Sequence, residues 1–234
     1  MNIKFTYLFI GILFLTFSGF CQEVRKSFSG PDFDSSYYMN LCKEFGHKKE
    51  LPSGYEKQAL HALSYYPELK NTRITFRIKK KNSPAMVRPS IMSSILRSAP
   101  RRTYIIFISY YSSHIDSVVM KNLPMDAQIG VLGHELAHVS FFINQGRFGM
   151  LKVALGNLSS TYLDRIEFET DKSTIEHGLG WQLLCWSELV RIKLKMYRWR
   201  GTDDYIYGKS KNPRGRYMNP ETIKAVMAES SLYD

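Results

Sequence analysis

Five consecutive residues, His134-Glu135-Leu136-Ala137-His138, hold most of the chemistry that can be read from this chain. On a helix, residues four apart lie about 40° from eclipse around the axis, so both imidazoles can reach one metal ion from the same face. Glu135 then sits about 100° round from His134, placed to face a water on the metal and not the metal itself. Two neutral imidazoles leave room around a zinc ion for a third ligand and a water whose pKa falls towards roughly 7, and Glu135 is the base that takes the water's proton.

The elements around this motif must make that geometry real. From Asp126 to Asn144, Ile129, Leu132, Leu136 and Val139 recur at three- and four-residue spacing, with Pro124 ahead and Gly146 behind as start and stop signals. Gly133 lowers helix propensity and predicts a close approach of another backbone there. A third ligand is expected from a second helix at Arg165 to His177, where Glu167-Phe168-Glu169-Thr170-Asp171 puts Glu167 and Asp171 four apart on one face. Glu167 can complete a His, His, Glu set while Asp171 accepts the spare ring N–H of a ligating histidine. Glu169 is the competing carboxylate, two residues away and facing elsewhere. The continuation His-x-x-Gly-x-x-His of the metzincins is excluded, because Phe141 and Asn144 stand in place of its Gly and last His.

These residues resemble the gluzincin proteases. The wording Gly-His-Glu-Leu-Ala-His followed by Glu-Phe-Glu-Thr-Asp is similar to the peptidase family of heat-shock membrane proteases and CaaX prenyl endoproteases, over roughly Val131 to Asp171. The resemblance implies that His134, His138 and Glu167 bind one catalytic zinc, that Glu135 is the general base, and that Glu167 is preferred to Glu169. Ser140 and Thr170 depart from the family's usual apolar residue and alanine. The transmembrane helices of its membrane members have no internal counterpart here, so what carries over is the soluble catalytic core.

The amino terminus bears on compartment. A basic start at Lys4, an apolar run from Phe5 to Phe20 and Gly19-Phe20-Cys21-Gln22 read as a signal peptide over residues 1–21, cleaved for secretion or release into a periplasm. An uncleaved amino-terminal membrane anchor is the alternative. Phe20 is too large for a lipoprotein signal at Cys21. Residues 22–50 read as a polar leader with one short helix, and 51–234 as a single domain. Cys42 and Cys185 can pair in an oxidising compartment or remain separate thiols.

The net charge of +11 is spread over Lys48-Lys49, Lys79-Lys80-Lys81, Arg101-Arg102, Arg191 to Arg200 and Lys209 to Arg216, without a nucleic-acid motif. Nucleic acid is therefore excluded as a partner. Peripheral contact with an anionic membrane or envelope polymer and a merely solvated basic surface are the two readings of that charge.

Tyr55 to Tyr66 predicts a helix stopped by Pro67, Ile74 to Lys79 a half-buried strand, Pro89 to Ser98 a short helix and Thr103 to Tyr111 a second strand. The expected fold is α+β, zincin-like and mainly helical, with a small sheet over the motif helix. Thr103 to Tyr111 is the candidate edge strand for a peptide substrate, with a central core strand as its alternative. Phe148 to Leu158 reads by default as packing, with a lid or a membrane-touching loop as alternatives. Beyond a break at Gly178 and Gly180, Trp181, Leu184, Cys185, Leu189, Ile192, Met196 and Trp199 predict a long helix with a buried stripe. Asn219-Pro220-Glu221 opens a last helix.

Hydrolysis also needs a donor for the developing oxyanion, and His177, Tyr205, Tyr207, Arg214 and Arg216 are of the right type. His47, His61 and His114 read as surface or satisfied core histidines, and Asp164 and Arg165 as helix-surface charges. The function expected is a zinc-dependent peptidase acting on a protein or peptide substrate. Its alternative is an inactive, zinc-stabilised envelope or binding protein of the same fold.

Overall fold

The computed structural model describes residues 23–28, 35–81, 83–89, 98, 101–112, 115–156, 158–195 and 217–234. Helices α1 (Ser35–Phe45) and α2 (Glu56–Ser64) flank the short strand β1 (Lys49–Glu50), and β2 (Arg73–Lys79), β3 (Ala85–Pro89) and β4 (Thr103–Ser109) follow. Then come α3 (Met125–Ile143), which carries the motif, α4 (Arg147–Gly156), α5 (Ser160–Thr174), α6 (Gly180–Lys193) and α7 (Pro220–Ala228). Among the described residues the molecule is mixed α and β, mostly helical, with one small sheet.

That sheet has four strands in the order β1-β2-β4-β3. β1, β2 and β4 run parallel, and β3 returns antiparallel along β4 with Val87 opposite Ile106. β4 is thus hydrogen-bonded on both sides and cannot receive a substrate strand, which corrects its assignment as the edge. The edge beside the motif helix is β3, where the sequence predicted no strand. Pro89 is the last residue of β3, and residues 90–97, on which the short helix predicted from Pro89 to Ser98 falls, lie outside the described residues. β3 is short, with Pro84 just ahead of it and Pro89 at its end, so it lacks the long alternation by which β2 and β4 are legible.

α3 is buried nearly all round, from Ala127 to Val139, because β3, α2, α5 and α6 all pack against it. A helix enclosed on every side needs apolar or partnered residues on every side. Leu132, Leu136 and Val139 meet the core formed with Leu63 of α2, Tyr66 just beyond it, and Ile74, Tyr104 and Ile106 of the sheet. Where α3 ends, Arg102, itself fully buried, donates to the carbonyl of Gln145 at 2.6 Å, supplying a cation to the negative end of the helix. The closest backbone approach falls at Gly130 and not at Gly133: a Cβ at 130 would lie 2.3 Å from the carbonyl oxygen of Gln182 in α6, whereas at 133 it would meet the side chain of Leu179.

Two further expectations are revised. Residues 22–50 are not set apart as a leader in their described part. Phe28, Leu41 and Phe45 are buried in the core, Ser27 and the Phe28 amide donate to Asp126 in the first turn of α3, and β1 joins the sheet. In α6 the buried side chains are Gln182, Leu183, Leu184, Ser187 and Val190; of the expected stripe Leu184 is buried, Trp181, Cys185 and Leu189 are half-buried against the core, Ile192 is 64% exposed, and Met196 and Trp199 lie outside the described residues. Between α5 and α6 the chain makes one wide turn over Ile175–Leu179, where Gly178 takes φ +92, a left-handed conformation that favours glycine. Cys42 and Cys185 are free thiols, and residues 1–22 lie outside the described residues. Among the described residues no helix is long and apolar enough to cross a membrane.

Candidate metal centre

α3 and α5 pack against each other, and their facing turns carry His134, His138 and Glu167. His134 Nε2 lies 3.0 Å and His138 Nε2 3.3 Å from the same carboxylate oxygen of Glu167. The two imidazole rings stand at 88° with centroids 4.9 Å apart, so they approach that oxygen from different directions. Ligand atoms held about 2.0–2.1 Å from a tetrahedral zinc lie about 3.3 Å from one another, close to the two distances to the Glu167 oxygen, and all three ligand atoms lie within 4.8 Å of one another. The donor set of two buried imidazoles and one largely buried carboxylate therefore fits a single divalent ion. Glu169, the competing carboxylate, is exposed on the other side of α5.

The other ring nitrogens are also engaged. Asp171 Oδ1 accepts from His134 Nδ1 at 2.8 Å, and Asp171 Oδ2 accepts from the amide of Met218 at 2.8 Å, just ahead of α7. Thr170 donates its hydroxyl to the carbonyl of Ile166 at 2.7 Å, which leaves the oxygen to accept from His138 Nδ1 at 3.1 Å. Both rings are thereby held with Nε2 towards Glu167. In the sequence Thr170 stands out only as a departure from alanine. Its signal was the i,i+3 relation to Glu167, which puts a hydroxyl on the ligand face.

Glu135 accepts from the amide of Val87 at 2.6 Å, which ties it to the β3 edge. Burial, aided by the charge of Glu167, raises its pKa above the ordinary carboxylate value against the opposing pull of His134, His138 and the Val87 amide. Burial would lower the pKa of His134, but the hydrogen bonds and charges of Asp171 and Glu167 outweigh it and hold the imidazole well above its usual value. In Glu167, burial is outweighed by the two histidines, which hold the carboxyl well below the usual range.

Beside His134 and Glu135 opens a cavity of about 380 Å³, walled mainly by Val131, Leu183, Trp186, Val190 and Ile223. Tyr217 closes one side with its ring edge against His134, at 5.6 Å between centroids.

The remaining expected residues fall elsewhere. His177 uses Nδ1 towards the carbonyl of Ser173 and Nε2 towards Glu68, and its ring stacks on Tyr66 at 4.2 Å. Both nitrogens are committed to a structural cluster that also takes in Ser140, which donates to Glu68, so His177 is not an oxyanion donor. Tyr205, Tyr207, Arg214, Arg216 and His114 lie outside the described residues. His47 is exposed, and His61 is a buried histidine bonded to the Tyr38 hydroxyl at 2.9 Å. Arg165 is exposed as expected, but Asp164 is buried, since α5 turns that residue inward and not to solvent. Compared with protein-family models, curated proteins and solved structures, the chain matches none.

Proposed function

We propose that this protein is a zinc-dependent peptidase of zincin-like, gluzincin type, acting outside the cytoplasm on protein or peptide substrates. The observation that carries the reading is the convergence of His134 and His138 on one oxygen of Glu167, with Glu135 between the two histidines on the same helix. Zinc, when bound, supplies the Lewis acidity that polarises a peptide carbonyl and acidifies water.

The chain's own residues supply the rest. Asp171 and Thr170 fix the tautomers and orientations of His134 and His138. Glu135, buried and with a raised pKa, takes the proton of the attacking water and passes it to the leaving amine. The free edge of β3 offers main-chain partners to an extended peptide, and the apolar cavity beside Glu135 receives one of its side chains. Export is supported by the apolar run Phe5 to Phe20 and the small residues before Gln22.

The test is metal analysis of the purified protein combined with cleavage of a casein or peptide-library substrate. Cleavage should vanish with chelator and return with zinc. Glu135→Gln should retain the metal and lose hydrolysis by several orders of magnitude, and an unchanged rate would remove Glu135 as the base. Glu167→Ala should lose metal far more than Glu169→Ala, and the reverse order would give the third ligand to Glu169. Zinc held at full occupancy with no cleavage of any library peptide would favour a zinc-stabilised binding protein.

A further inference from the structure

Helix α4, which links the two helices of the metal centre, turns only one of its faces inward. Met150 and Val153 are buried, while Phe148 is 90%, Leu151 57% and Leu155 61% exposed, and Leu158 just beyond the helix is 86% exposed. Phe148, Leu151 and Leu155 are three and four residues apart and so form one outward stripe within about 60° of the helix circumference. Isolated exposed leucines are ordinary on protein surfaces, but three large apolar side chains along about two turns of one helix face, with a fourth just beyond the helix end, make an exposed apolar patch.

Charge identifies the occupant. Between Glu135 and Asp164 the chain has no aspartate or glutamate, whereas Arg147 and Lys152 lie within α4 itself. Lys152 is exposed at the border of the stripe. A second copy docked face to face through α4 would set Lys152 against its own equivalent with no carboxylate in α4 to receive it. An anionic lipid surface accepts both features at once: the phenylalanine and leucines enter the boundary of the acyl chains, and the lysine reaches back to the headgroups. The chain's net charge of +11 acts in the same sense at longer range.

We infer that α4 is a peripheral membrane-docking helix, which seats the protein on an anionic bilayer through Phe148, Leu151, Leu155 and Leu158. Because α4 joins α3 to α5, docking brings the metal centre to the lipid surface, whether or not that centre turns over a substrate.

The experiment uses the full chain with vesicles of phosphatidylcholine, alone or mixed with phosphatidylglycerol. The apolar run Phe5 to Phe20 can enter lipid by itself, so the decisive readout is local. In Phe148→Trp, the added tryptophan emission should be quenched by bromine-labelled acyl chains, beyond the quenching of the parent protein's own tryptophans. Quenching should require the anionic lipid and weaken with salt. In Leu151→Ser/Leu155→Ser on this background, it should need at least about tenfold more lipid. Lys152→Glu, a surface change that leaves the apolar stripe intact, should shift it in the same direction. Emission from residue 148 unaffected by brominated lipid on protein bound to vesicles would overturn the inference. So would a dimer of the parent protein that Leu151→Ser/Leu155→Ser dissolves, since the stripe would then belong to a second copy.

Discussion

At the scale of single residues, Thr170 shows how one hydroxyl can set the direction of an imidazole. Its donor capacity is used by Ile166, so towards His138 it can only accept, and the ring must present a protonated Nδ1 to it. Thr170→Val keeps the shape and removes that acceptor, leaving a buried N–H without a partner. Zinc affinity should fall by roughly 10–100-fold, while Thr170→Ser should stay near the parent value. Competition with a zinc chelator measures it without reference to catalysis, and equal affinities for all three proteins would reduce Thr170 to packing. The same logic separates Glu167 from Glu169: residues two apart on α5 face different ways, and only one faces α3.

At the scale of elements, β3 is the piece that turns a helix motif into a cleft. The Val87 amide points away from β4 and onto Glu135, so the bond that orients the proposed base comes from the free edge and not from the sheet ladder. Val87→Pro removes this donor at a position where an edge strand tolerates proline. Zinc affinity and thermal stability should remain within error of the parent, while peptide hydrolysis should fall by roughly tenfold or more, as expected when a base loses its orienting partner. Unchanged hydrolysis would mean that Glu135 needs no help from β3. Against the opposite flank of α3, the absence of a side chain at Gly130 lets the backbone of α6 come close enough to build the wall of the cavity from Leu183, Trp186 and Val190.

At the scale of the whole molecule, the candidate metal site lies between α3 and α5, and α3 is the helix on which the rest of the core is assembled. An ion bound only by the folded state stabilises it by mass action. Free zinc at about a hundred times its Kd should add about 2.7 kcal/mol and raise Tm by roughly 5–10 °C over the chelated protein. Differential scanning fluorimetry reads this directly. Glu167→Ala should abolish most of the shift, and a parent protein whose Tm ignores zinc would argue against a preformed site. The positive charge also divides at this scale. Arg102 is buried on helix-end carbonyls, and Lys49 donates to the carbonyls of His47, Leu69, Lys70 and Thr72, with burial lowering its pKa to about 8. These two cations hold the fold together, while Lys152 and Arg165 remain at the surface.

Local patterns were enough for the motif helix, the helix bearing Glu167 and Asp171, and the strands β2 and β4, because spacing along one element determines which of its side chains share a face. The same rule brought His134, His138, Glu167 and Asp171 forward as one group. Spacing says nothing about main-chain donors or about which segment lies opposite. The Val87 amide on Glu135, the interior place of β4, the inward face of α6 and the outward stripe of α4 were decided only when separate elements packed. Each depends on contacts between residues far apart in the chain, and a short strand such as β3, bounded by prolines, acquires its identity from the neighbour it pairs with.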